Sequence, residues 1–135
     1  MDFEFAELGK DLDPEGVHPL VLAYLGDAVY ELYIRTRLVT CGIARVKRLH
    51  CQSVKYVKAS AQAEFIRSIA EKLTEDELAI MKKGRNTKSN VPRSADVSDY
   101  RYSTGLESLL GYLYLKNNKK RLMEILEMLD WEEDT

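Results

Sequence analysis

The chain has 135 residues, of which 45% are hydrophobic and 31% charged, with a formal net charge of −2. That length and balance fit one globular domain with its own core, and exclude a wholly disordered chain, a collagen or a coiled-coil rod. Three prolines and seven glycines are too few for a sandwich of many short strands, and Cys41, Cys51, His18 and His50 match neither a zinc spacing nor a disulfide framework.

Taken in chain order, the segments read as helices nearly throughout. Residues 1–16 form a loose acidic lead-in, with Asp13, Pro14 and Gly16 marking a turn. His18-Pro19 opens a long helix that runs to about Cys41 and stops at Gly42. Two further helices are expected over 44–57 and 59–73, the second carrying the apolar stripe Ala63, Ile66, Ala70 and Leu73. Thr74 and Glu77 form a capping box for a helix over 75–83. Residues 84–97, rich in turn formers and poor in apolar side chains, are read as a basic loop. A second long helix covers 98–116, Asn117-Asn118 break it, and a last amphipathic helix covers 119–130. The expected fold is therefore an all-α helical bundle, a single domain over 1–135. Both cysteines are expected to be inert, buried or half-buried thiols.

Charge is uneven along this bundle. Residues 1–44 carry −5, residues 45–93 carry +7 and residues 94–135 carry −4. A basic block of that kind can bind phosphates on an acidic protein, or simply decorate solvated helix faces. The acidic start does not read as a signal peptide, and no apolar run of about 18 residues escapes charge. No membrane association is expected, and the cytoplasm is the default location.

Two acids interrupt the most apolar segments. Asp27 follows Gly26 within Leu20–Ile34, and Glu107 lies within Leu106–Leu115 with Gly111 one turn later. The first long helix is apolar nearly all round and is expected in the middle of the core, which would bury Asp27. A buried carboxylate must be paired, bound to metal or turned to a cleft. If the two helices pack, Asp27 and Glu107 meet and need a cation between them. Oxygen-only ligands suit Mg²⁺, and such a site can act on a phosphodiester. The alternative for each acid is an ion pair with a Lys or Arg, and for Glu107 also an exposed face. Glu31 is assigned to an i,i+4 pair with Arg35.

Leu22-Ala-Tyr-Leu-Gly-Asp-Ala28 resembles the signature helix of the ribonuclease III family, and Glu107-Ser-Leu-Leu-Gly-Tyr-Leu-Tyr-Leu115 resembles its second acidic motif. With Ser60-Ala-Gln-Ala-Glu64, the basic turn Lys82-Lys-Gly-Arg-Asn-Thr-Lys-Ser89 and Tyr100-Arg-Tyr-Ser-Thr104, the chain looks closest to the short Mini-ribonuclease III branch, over about residues 18–116. The resemblance implies an all-helical catalytic domain acting as a homodimer. Its expected reaction is Mg²⁺-dependent hydrolysis of double-stranded RNA, leaving 5′-phosphates and 3′-hydroxyls. The expected substrate is the 23S ribosomal RNA precursor, with a large-subunit ribosomal protein as helper.

By the same resemblance, Asp27 and Glu107 are the metal ligands and catalytic acids, and Tyr24 stands at the dimer contact. Larger relatives carry two further acids where this chain has Ala23 and Thr104, a pattern shared with the short branch. Glu64 stands near a family acid that reaches the site from the other protomer. No double-stranded-RNA-binding domain follows Glu107 in this chain. RNA contacts are therefore placed on Lys82, Lys83, Arg85, Asn86, Lys88, Arg93 and Arg101. The missing acids keep a second reading open, a catalytically inactive RNA-binding relative. A third is a helical dimer without any RNA role.

Overall fold

The two long apolar segments cross at glycines, and that crossing organises the computed structural model, which describes residues 4–132. Six α-helices form among the described residues: α1 Pro19–Thr40, α2 Val46–Val57, α3 Ala59–Ile69, α4 Glu75–Asn86, α5 Val97–Leu115 and α6 Lys119–Leu126. Short 3-10 turns occupy Phe5–Gly9, Pro14–Gly16 and Ala70–Lys72, and no strand occurs among the described residues. None of these helices is long and apolar enough to cross a membrane.

Local chemistry sets the helix ends. His18 Nδ1 accepts the Leu20 N–H at 3.1 Å and caps α1, whose far end stops at Gly42, in the left-handed region with φ +89°. The capping box opens α4 as expected: Glu77 N–H donates to Thr74 Oγ1 at 3.2 Å, and Thr74 N–H to Glu77 Oε1 at 2.9 Å. Asp96 caps α5 by accepting the Asp99 N–H at 2.9 Å. Asn117, at φ 59°, ends α5 in a Schellman turn in which the Asn118 N–H donates to the Leu113 carbonyl at 3.0 Å.

α5 is the central helix, packed against α1, α4 and α3. Tyr30, Ile34, Ile66, Leu106, Leu109, Leu110 and Ile125 are wholly buried around it. α6 is held to this core by Arg121, whose Nε and Nη2 donate to the two Glu77 carboxylate oxygens at 2.8 and 2.9 Å. Arg121 Nη2 also donates to the Lys72 carbonyl at 2.8 Å.

Several expectations are corrected. α1 is not buried all round: Tyr24 is 83% and Leu32 67% exposed, and Val21 and Val39 share that exposure, because only one side of α1 faces α5. α4 continues three residues past the expected stop. Gly84 is a contact glycine rather than a turn former, and a Cβ there would fall 2.8 Å from Ser108 Cβ and 3.1 Å from Gly105 Cα. The connecting segment is thus 87–96, and Lys82, Lys83, Arg85 and Asn86 lie on the last turns of α4.

The lead-in, where described, is not loose: Ala6 is buried, Gly9 meets Leu115, and Lys119 pairs with Glu4 at 2.9 Å. Its residues 1–3 lie outside the described residues. α6 ends at Leu126 because the Met128 and Leu129 N–H groups bond three residues back, a tight turn that sends the chain toward α2. There the Trp131 ring stacks on Tyr56 with centroids 4.4 Å apart. Both cysteines are exposed, since Cys41 caps α1 and Cys51 lies on the outer side of α2.

Candidate active site

α1 and α5 touch backbone to backbone. A Cβ on Gly26 would fall 2.6 Å from the Glu107 carbonyl carbon, and one on Gly111 would fall 2.8 Å from that of Leu22. Only residues without a side chain permit this approach. It sets the next residue on α1, Asp27, beside Glu107 on α5, close enough for the two carboxyls to act on each other. The two acids singled out by the sequence therefore meet.

Their environments differ. Asp27 is exposed, which corrects the expectation of a buried acid, while Glu107 is half-buried. Asp27 lies at the edge of the crossing, where α1 turns from α5 toward solvent. Burial is the first cause that raises the Glu107 carboxyl, followed by the Asp27 hydrogen bond and charge and by the Glu31 charge; together they push it up to about 9. No Lys, Arg or His forms an ion pair with either acid among the described residues. The ion-pair alternative is thereby removed, and these acids meet without a protein cation to neutralise them.

Glu31 is the residue whose role the sequence reading missed. It pairs with Arg35 at 3.5 Å, as expected, and still adds its charge to the field at Glu107. The available signal was its position one turn after Asp27. At the two departures from the larger relatives, Ala23 is buried and the Thr104 hydroxyl donates to the Tyr100 carbonyl at 3.0 Å. Neither supplies a carboxylate.

Among the described residues no three His, Cys, Asp or Glu side chains form a ready metal cage. The donor set is the Asp27–Glu107 pair, uncompensated oxygen ligands of the kind Mg²⁺ takes, one or two carboxylates with the rest of its shell water. The residues present fit that ion. Glu64 is exposed on α3 and lines a cleft with Lys55 and Lys58, so one chain does not bring it to the pair.

The basic residues divide. Arg85, Asn86 and Arg101 line one cavity of about 360 Å³ with Ser98 and Tyr102. The Arg85 guanidinium donates to the Tyr102 hydroxyl at 3.4 Å. Arg67, not foreseen from sequence, sits 4.4 Å from the Tyr102 ring and pairs with Asp99 at 3.2 Å. Its partners lie about thirty residues away in the chain, beyond any local pattern. Lys82, Lys83, Lys88 and Arg93 do not line that cavity; Lys88 and Arg93 lie in the 87–96 segment. Tyr24 stands on the exposed face of α1, about one turn before Asp27.

Known proteins share this chain's sequence pattern and fold. The ribonuclease III domain pattern matches residues 20–118. A Mini-ribonuclease 3 from Thermoanaerobacter sp. (strain X514) is 52% identical over 128 residues, covering 92% of this chain and 90% of that relative. One from Clostridium tetani is 47% identical, covering 87% and 79%. A crystal structure of a Fusobacterium nucleatum protein superposes with a TM-score of 0.76 at 31% identity, covering 82% of this chain and 90% of that one. The chain belongs to the ribonuclease III family, in its Mini-ribonuclease 3 branch, and is an endoribonuclease.

Proposed function

We propose that the chain is a Mg²⁺-dependent endonuclease of double-stranded RNA that acts as a homodimer, one acidic site per protomer and one strand cut by each. The observation that carries this reading is the Asp27–Glu107 pair, set together by a glycine crossing and left without a cation. A fold does not keep two acids in contact at such cost for packing alone. Bound at that pair, Mg²⁺ would polarise a phosphodiester and make water a stronger nucleophile.

The chain's own groups do the rest. Asp27 and Glu107 orient the ion, and Glu31 adds negative charge to its surroundings. Arg85, Asn86 and Arg101 hold the phosphate backbone through their shared cavity, with Lys82, Lys83, Lys88 and Arg93 as flanking contacts. An A-form duplex read this way is recognised by shape and phosphates. Products carry 5′-phosphates and 3′-hydroxyls.

The exposed apolar face of α1, which includes Val21, Tyr24 and Leu32, supports the homodimer. The substrate on this reading is the stem joining the ends of the 23S ribosomal RNA precursor, cut in the cytoplasm with a large-subunit ribosomal protein as helper. The test is cleavage of an end-labelled duplex from that precursor in Mg²⁺ and in EDTA, with Asp27→Asn beside the native protein. Cutting that needs Mg²⁺ and is lost in the variant is expected. Binding without cutting by the native protein would favour the inactive RNA-binding reading.

A further inference from the structure

Two clefts open on either side of Tyr56, where α1, α2 and α3 meet the C-terminal segment. One, of about 610 Å³, is lined by Arg37, Arg45, Arg48, Gln52 and Trp131. The other, of about 470 Å³, is lined by Lys55, Lys58, Ser60, Glu64 and Asp130. Glu132 borders both. α2, which runs between them, carries Lys47, Arg48 and Lys55 and no acid.

Several arginines elsewhere in the fold are already committed to carboxylates. Arg35 pairs with Glu31, Arg67 with Asp99, and Arg121 with Glu77. Arg37, Arg45, Lys55 and Lys58 have no carboxylate within 4.0 Å among the described residues, although Asp130 and Glu132 line the same clefts. Arg37 is nevertheless fixed in place. Its Nη1 donates to the Tyr33 hydroxyl at 3.0 Å, and its guanidinium sits 4.3 Å from the Trp131 ring centre. A cation held by neutral groups keeps its charge for an outside anion.

The elbow is also tied to the catalytic end of α1. The Tyr30 hydroxyl donates to the Tyr56 carbonyl at 2.9 Å, so the end of α2 is anchored one turn beyond Asp27. From there α2 runs back over roughly 18 Å. A duplex carries about one charge per 1.7 Å of axis in B-form DNA, and comparably many in RNA, so a strip of this length passes several phosphates.

We propose that this elbow is a second phosphate-contact surface for the RNA duplex. It engages the backbone flanking the cut, and Asp130 and Glu132 set its strength. The inference rests on the double-stranded RNA reading above and adds residues that reading does not use.

The test measures binding of a labelled RNA duplex in EDTA as salt is raised, with cleavage in Mg²⁺ followed in parallel. Arg45→Ala with Lys58→Ala, two exposed side chains, is expected to weaken binding several-fold and flatten the logarithmic salt slope by about 0.9 per lost contact. Asp130→Asn with Glu132→Gln is expected to act in the opposite sense and tighten binding. If the native protein binds and cuts the duplex while both double variants keep its affinity and slope, this inference falls and the nuclease reading stands. If the native protein neither binds nor cuts, both fall. An elbow that serves an acidic protein instead would give the first of these results.

Discussion

Gly26→Ala tests the crossing on which the acidic pair depends. The added Cβ would lie 2.6 Å from the Glu107 carbonyl carbon and 2.8 Å from the Gly111 nitrogen, and closer still to the Glu107 carbonyl oxygen. Ordinary contact needs about 3.4 Å or more, and the obstacles are backbone atoms with no rotamer to give, so α1 and α5 must separate by about 1 Å. Overpacking typically costs about 1–3 kcal/mol and more against backbone, whereas helix propensity returns about 1 kcal/mol for replacing a glycine. The net is a loss of about 3 kcal/mol, or roughly 10 °C in melting temperature for a chain of this size. Because Asp27 and Glu107 move apart with their helices, cleavage should fall about a hundredfold even at temperatures where the variant is folded. Thermal melts by circular dichroism and cleavage at a temperature well below both melts would measure the two effects. Gly16→Ala is the control, since nothing lies within 4 Å of a Cβ there, and it should stay within about 0.5 kcal/mol of the parent. A Gly26→Ala protein that melts within about 3 °C of the parent and cuts normally would refute the argument.

Three other outcomes follow from the same contacts. With its carboxyl pushed up to about 9, Glu107 binds more protons in the folded than in the unfolded state between about pH 4.5 and 9, so metal-free stability should fall as pH rises through that window. Water at the exposed Asp27 limits the effect to about 1–2 kcal/mol; Glu107→Gln should flatten the melting profile, and Mg²⁺ should bind more tightly at pH 8.5 than at pH 6. Arg121→Ala leaves Glu77 buried without its partner and should cost about 2–4 kcal/mol in urea unfolding at pH 7. Burial raises the Glu77 carboxyl but the Arg121 and Thr74 hydrogen bonds override it and hold it low, so this stabilisation is present above pH 4.5 and lost as pH falls through the depressed value, and the gap between the proteins should narrow near pH 3. On the homodimer reading, Tyr24→Asp should convert the dimer into a 15.5 kDa species in sedimentation, with loss of cleavage; an unchanged mass would remove Tyr24 from any interface.

How much of this could be read beforehand depended on whether the cause was local. The capping box at Thr74 and Glu77 and the α1 stop at Gly42 involve groups within a few residues of one another, and pattern reading finds them. One contact between distant segments is legible too, because Gly26 beside Asp27 and Gly111 beyond Glu107 advertise a close helix crossing. Gly84 failed for the opposite reason: its function lies against Ser108 on another helix, and in sequence it looks like a turn. The place of Trp131 has no local signal either, since its partners Tyr56 and Arg37 are distant in the chain. The exposure of Asp27 was misread because an apolar stripe looks the same whether it faces a core or another surface.

α1 in fact serves three surfaces, and their angular order bears on mechanism. Leu22, Tyr30 and Ile34 face the core; Asp27 and Glu31, about 40° apart around the axis, face the acidic edge; Tyr24, Ala28 and Leu32 continue the turn away from the core, within about 140° of Asp27. The acidic edge therefore adjoins the exposed apolar face on the same helix. On the homodimer reading, a second copy covering that face would place its own Asp27 along the same seam, and the incomplete carboxylate set of one chain would open into a groove shared by two. On the same reading Tyr24 and Leu32 are exposed in one chain because a second copy covers them. On that reading the exposure of Asp27 follows as well: an acid that reaches a metal and a duplex stays off the centre of the bundle, and the edge of the exposed α1 face is a place beside its partner on α5 where water and substrate can enter.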